Sequence, residues 1–274
     1  MRDSSVLFAR LRARLAVDLV SDLVSARREA VRGGALFTLG VDAVDARLGG
    51  GLARGALHEL FGAAAEDAVA ANGFALMLAL RARAVGSTKP LIWIRGDGAA
   101  RRYGRLHGPG LAEMGADPGG VMLVQVPDDL AALRAGADAL GCAGVSAVII
   151  EIGGKARVID LTVTRRLALG AARSGVTALL VRSEAEPRPS AAATRWDVSA
   201  APSAALPGNA PGQCRLTVRL LRHRAGRPGF ETCMEWNRDA QIFRAVESAD
   251  AALPRAVPAA ASGGPDQGDW RLAG

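Results

Sequence analysis

Cysteine, histidine and aromatic side chains are all scarce in this sequence, and each shortage closes off a class of function. The three cysteines, Cys142, Cys214 and Cys233, form no CxxC pair and no Cys/His cluster of zinc-ligand spacing, so no zinc module is expected. They read as buried thiols in a reducing cytoplasm. His58, His107 and His223 stand far apart, outside any metal or triad spacing, and no serine has a G-x-S-x-G context. Aromatic residues make up 4% of the chain, which leaves little for a base-stacking platform. No uninterrupted apolar run of roughly 20 residues is present to cross a bilayer. The opening MRDSSVLFARLRARLAVDLV is broken by Arg10, Arg12, Arg14 and Asp18, so a cytoplasmic protein without a membrane span is expected.

What the chain does have is apolar bulk and arginine. Half of its 274 residues are hydrophobic, enough for one sizeable core. The net charge of +7 favours an acidic partner or nucleic acid through long-range attraction. Arginine far outnumbers lysine and alanine is abundant, the mark of a GC-rich coding bias, so DNA contact is expected to be weak at most.

Three segments are expected: an N-terminal amphipathic helix over 1–32, a core over 33–247 and a disordered tail over 248–274. In the first, Leu7, Leu11, Leu15, Leu19 and Leu23 recur every fourth residue with Arg10, Arg14, Asp18 and Asp22 elsewhere, which makes an apolar helix face. That face packs on its own domain or docks on another chain. The tail is rich in Ala, Pro and Gly, yet it finishes on Trp270, Arg271 and Leu272, which suit a partner's pocket or a return to the parent domain.

In the core, a short helix over 41–48 ends at the triple glycine Gly49 to Gly51, and residues 56–61 read as a buried strand ending at Gly62. A helix over 68–84 follows. LIWI (91–94), VMLVQV (121–126), VSAVIIEI (145–152) and VTALLV (176–181) are further apolar runs, with helical stretches at 128–140 and 161–174 between them. Such alternation implies an α/β fold with a mainly parallel sheet covered on both faces. RLTVRLL (215–221) and FETCMEW (230–236) instead alternate about a turn, which gives a β-hairpin beside that sheet.

The loop after the first long strand is the natural phosphate site of such a sheet. A phosphate loop needs G-x-x-x-x-G-K-[ST], for inward amides, a lysine on the β/γ charge and a hydroxyl on Mg²⁺. Here GAAAEDAV supplies Gly62, but Asp67 stands at the second glycine, Ala68 at the lysine and Val69 at the hydroxyl. Glu66 and Asp67 would repel a polyphosphate and suit the dipole of the next helix as an N-terminal cap. No cofactor is expected.

The stretch LGVDAVDARLGGGLARGALHELFG resembles the segment that leads into the phosphate loop of the recombinase RecA. Together with ATRWDVSAAPS (193–203), the pattern over residues 35 to 245 resembles the ImuA family, the RecA-like damage-inducible mutagenesis proteins. The resemblance implies a RecA-like core in which the strand-end carboxylate that helps hold Mg²⁺ falls at Glu151 and the water-activating carboxylate near Asp97. Without a phosphate cradle both read as caps or surface charges. RecA's lysine pair that reaches a neighbouring subunit's nucleotide falls near Arg222 and Arg224, a possible contact for phosphate or an acidic partner. The loops after Glu151 and Val181 are too short or too stiff, with Pro187 and Pro189, for a filament-style grip on single-stranded DNA.

The expected function is therefore a non-catalytic accessory of SOS-induced translesion synthesis. Its partner would be ImuB, a polymerase-like scaffold serving an error-prone C-family polymerase, with contact to RecA also in keeping. The rivals are an NTPase with an unconventional site built on Asp97 and Glu151, acting in recombinational repair, and a cell-division inhibitor of the SulA kind.

Overall fold

The computed structural model describes residues 36–153, 159–185, 187–210, 212–225 and 229–246. The segments 1–32 and 248–274, with Leu7, Leu11, Leu15, Trp270, Arg271 and Leu272, lie outside the described residues. Among those described, no helix is long and apolar enough to cross a membrane.

A two-stranded sheet of β1 (Leu36–Phe37) and β2 (Leu52–Ala53) flanks the short helix α1 (Asp42–Arg47). The triple glycine that ends this helix is used for reach as well as for backbone freedom. At Gly51, φ is +125°, and a Cβ would lie 2.3 Å from the Phe37 carbonyl oxygen, so only glycine lets the two short strands close.

The body of the fold alternates strand and helix: β3 (Leu57–Gly62), α2 (Ala68–Ala82), β4 (Leu91–Gly96), α3 (Asp97–Tyr103), α4 (Gly108–Glu113), β5 (Val121–Val126), α5 (Asp129–Leu140), β6 (Ala147–Ile152), α6 (Leu161–Ser174) and β7 (Thr177–Arg182). Four more strands follow, β8 (Thr194–Ala201), β9 (Arg215–His223), β10 (Phe230–Asn237) and β11 (Ile242–Ala245). The nine-stranded sheet has the order β11-β10-β9-β8-β3-β7-β6-β4-β5. From β8 to β5 all neighbours are parallel, and the hairpin β9–β10 extends that sheet antiparallel with β11 at its far edge.

One face packs against α2, whose residues are apolar almost all round because the helix is sunk between the sheet and the β1–β2 unit. Phe74, Trp196, Phe230, Trp236 and Phe243 form a chain of ring contacts there, with centroids 4.8 to 5.9 Å apart. The opposite face packs against α5 and α6 through Ile94, Val148, Ile150, Ala178 and Leu180. At Gly136 a Cβ would sit 2.4 Å from Ile150 Cδ1, so glycine lets α5 settle directly on β6.

Two expectations need correction. The run VMLVQV is a strand but not a covered one. As the last strand of the sheet, β5 leaves Met122 and Leu123 exposed, because neither flanking layer extends past it. The cysteines are not uniformly buried either. Cys142 and Cys214 are exposed and Cys233 is half-buried, since Cys142 lies in the turn after α5 and Cys214 just ahead of β9.

Candidate functional site

In an open parallel sheet, ligands bind beyond the C-terminal ends of the strands, where β3 turns into the first crossover. Here the chain leaves β3 at Gly62, makes one 3₁₀ turn over Ala65–Asp67 and enters α2. The turn is tight: a Cβ on Gly62 would approach the Ala64 oxygen, the Ala68 nitrogen and the Asp67 carbonyl carbon to 3.0 Å each. Ala63 donates its N–H to the Val198 carbonyl at 2.9 Å, which ties the turn to β8.

Asp67, which stands at the position of the second glycine of a phosphate loop, turns its carboxylate onto the chain's own amides. Its Oδ2 accepts the Ala64 N–H at 3.2 Å and its Oδ1 accepts the Ala200 N–H at 2.9 Å. Two amides on different segments of the chain are thus satisfied by one carboxylate. The expectation that Asp67 caps α2 is corrected in part. It occupies the N-cap position but makes no side-chain hydrogen bond to that helix, because its carboxylate turns back to Ala64 and across to β8. Ala68, at the lysine position, is 1% exposed; Val69, at the hydroxyl position, points outward at 63% and Glu66 is exposed.

Glu151 departs furthest from its expected place. Instead of a cap or surface charge it is fully buried near the end of β6, beneath α2. Its Oε1 accepts from Arg95 Nη2 at 3.0 Å and from Asn72 Nδ2 at 3.1 Å, and its Oε2 accepts from Trp93 Nε1 at 3.2 Å. Arg95, itself buried, sits opposite Glu151 in the β4–β6 register and spends another donor on the Gly104 carbonyl at 2.8 Å. A carboxylate with one cation and two neutral donors around it is satisfied by the protein and is not free for Mg²⁺. Asp97 opens α3, where a first-turn acid suits the helix dipole, and separately accepts from Gln125 Nε2 of β5 at 2.6 Å. The two strand-end carboxylates are therefore each engaged by their own partners. Among the described residues no group of three or more His, Cys, Asp or Glu is placed to hold a metal ion.

A second buried ion cluster was invisible in the sequence. Glu59 of β3 accepts from Arg195 Nε at 2.9 Å and faces Arg182 Nη1 at 3.7 Å. Both guanidiniums lie over Phe61, 5.3 and 5.4 Å from the ring centroid. Burial pushes the Arg182 pKa below its ordinary value; Glu59 opposes this, and Arg195 and Arg188 add to it. The cluster bolts together β3, β7 and β8, the strands around the crossover.

Arg222 and Arg224 lie at the opposite end of the sheet from the crossover, both exposed. Arg222 Nη1 donates to the Ser190 carbonyl at 3.4 Å, and the Arg224 N–H donates to the Ala193 carbonyl at 2.9 Å. His58 is buried, with Nε2 at 2.9 Å from the Ala53 carbonyl and Nδ1 at 2.7 Å from Thr194 Oγ1, a structural histidine.

No family model matches the sequence. Over 194 residues the chain is 34% identical to Protein ImuA of Caulobacter vibrioides, from strain NA1000 / CB15N and equally from strain ATCC 19089 / CIP 103742 / CB 15. That similarity spans 66% of this chain and 75% of the relative. Among solved structures, the crystal structure of the RadB recombinase superposes with a TM-score of 0.51 at 15% identity, covering 77% of this chain and 100% of that one. The order of strands, the crossover and this likeness give a RecA-like fold, and the sequence similarity places the chain in the ImuA family.

Proposed function

We propose that this chain is a non-catalytic, RecA-like accessory of damage-induced mutagenesis. It binds the polymerase-like scaffold ImuB and so supports an error-prone C-family polymerase in copying past lesions. The observation that carries the non-catalytic reading is the Asp67 carboxylate, which replaces the second glycine of a phosphate loop and is seated on the amides of Ala64 and Ala200, so that a fixed negative charge stands in the loop a polyphosphate would have to enter. The saturation of Glu151 by Arg95, Asn72 and Trp93 supports it. The family relationship supports the pathway.

A docking role also needs a surface. Strand β5 has no described strand on its outer side and exposes Met122 at 53%, Leu123 at 44% and, beside it on α5, Leu130 at 44%. An apolar edge of this kind takes an added strand or an apolar segment from a partner.

Two measurements test the reading. Equilibrium titration with labelled ATP and Mg²⁺ is expected to show no saturable binding; saturation at micromolar nucleotide would overturn the non-catalytic role. Capture of ImuB by the full chain is compared with deletion of residues 1 to 30, deletion of residues 248 to 274, and Leu123→Lys. Loss of capture in at least one of these locates the docking surface, and no capture by the full chain refutes the partner.

A further inference from the structure

On the face of the sheet that carries α6, two groups of arginines adjoin: Arg182, Arg188 and Arg195 near Glu59, and Arg165, Arg222 and Arg224 at the end of β9. Arg165 lies in the second turn of α6, Arg188 in the loop after β7, Arg222 and Arg224 at the end of β9, with Arg182 and Arg195 buried beneath. The junction is held together by its backbone. Thr164 Oγ1 accepts the Ala191 N–H at 3.2 Å, Ala193 accepts from Arg224, Ser190 accepts from Arg222, and Arg195 stands opposite Arg222 in the β8–β9 register. Glu59 is fully buried and already engaged by Arg182 and Arg195, and Asp197, two residues along β8 from Arg195, is engaged by Arg219.

Along β9 the contrast is internal to one strand. Arg215 pairs with Glu235 and Arg219 with Asp197, and elsewhere Arg102 pairs with Glu184 and Arg238 with Glu113. Arg165, Arg188, Arg222 and Arg224 pair with no described carboxylate. Although Arg224 is exposed as a residue, its guanidinium is partly desolvated by the chain around it, and this, then the nearness of Arg222 and Arg165, pushes its pKa below the ordinary value. Like charges held together without a counter-ion form a site already arranged for an anion.

We infer that Arg165, Arg188, Arg222 and Arg224 form a contact surface for the phosphate backbone of nucleic acid. Guanidinium forks match phosphate oxygens bidentately. A protein partner fits less well, since protein interfaces bury an apolar centre. The exposed large apolar residues, Val69, Val85, Met122, Leu123, Leu130 and Leu206, are all elsewhere. The described tryptophans and most of the phenylalanines are buried in the core, so the surface positions the strand without reading bases. This inference does not depend on ImuB docking or on the absence of nucleotide chemistry.

The test uses full-length protein with fluorescein-labelled single- and double-stranded oligonucleotides, followed by anisotropy across a salt series. Wild type is expected to bind with an affinity that falls steeply with salt. Arg222→Ala/Arg224→Ala should weaken binding several-fold and make the log–log salt slope shallower by about 1 to 2, since each phosphate that is no longer neutralised removes roughly 0.9 from it. Arg102→Ala/Arg238→Ala removes the same net charge from paired arginines and should leave the slope unchanged. No salt-dependent binding by wild type, or an equal loss in both double variants, overturns the inference. So does a result in which Arg222→Ala/Arg224→Ala loses ImuB capture while keeping the oligonucleotide, which would make this a protein-docking face. Wild type that captures ImuB but not the oligonucleotide sinks this inference alone and leaves the proposed function standing.

Discussion

Asp67 and Glu151 show how two acids can occupy the positions of a catalytic site and do structural work instead. Asp67 satisfies two amides on different elements, so Asp67→Ala frees both. With hydrogen bonds to a charged group worth about 1.5–3 kcal/mol when buried, and this site half-exposed, a loss of about 1–2 kcal/mol in chemical denaturation is expected. Glu151 and Arg95 form a buried pair, and breaking one leaves the other uncompensated. Arg95→Met should cost about 3–5 kcal/mol, whereas Arg95→Met/Glu151→Gln, which removes the stranded charge and keeps an amide oxygen for Asn72 and Trp93, should recover part of that loss; a double variant whose loss equals the sum of the two single losses would show that the two groups do not act on one another. Near the same strand ends, burial raises the Asp129 carboxyl pKa, against the Gly153 N–H that lowers it. A raised carboxyl favours the folded state only while protonated, and that contribution is lost as pH rises through the folded pKa. Asp129→Asn should therefore gain stability over wild type at neutral pH, and the gain should shrink as pH falls into the carboxylate range. At this scale the sequence told which residues were missing from the loop. It did not tell where the acids had gone, because Arg95 and Glu151 meet only through strand pairing across 56 positions.

At the level of elements, legibility followed burial. Strands covered on both faces, such as β6 and β7, announce themselves as unbroken apolar runs, and their bounds were readable to within a residue or two. Strand β8 is not legible as a strand in the sequence, because Arg195, Asp197 and Ser199 interrupt Trp196 and Val198. Only its place beside β3, with Thr194 meeting His58 across 136 positions, makes an apolar face of one side and an ion cluster of the other. Strand β5 shows the converse, since an apolar run cannot reveal that its sheet stops there. The edge is not maintained for folding: Leu123→Lys removes a side chain already 44% exposed, so its melting temperature should match wild type, as surface changes are usually within about 0.5 kcal/mol. A marked loss of stability would mean that the chain itself covers this edge.

Over the whole molecule, the scarcity of aromatics acquires a meaning that composition alone could not give. Five of the large rings form one continuous contact chain in which Trp196 of the parallel region meets Phe74 of α2 and Phe230 of the hairpin, while Phe243 of β11 meets both Phe74 and Trp236. Parallel core and antiparallel extension thus share one interior, and neither can lose its packing without exposing the other. Trp196 is completely buried, so Trp196→Ala should cost about 3–5 kcal/mol through forfeited transfer energy and the cavity left behind. Because the cluster spans both regions, the variant should still unfold in a single transition, with far-ultraviolet circular dichroism and tryptophan fluorescence coinciding. Two separated transitions would show instead that the hairpin and the parallel sheet are independent units, and that the ring chain only bridges them.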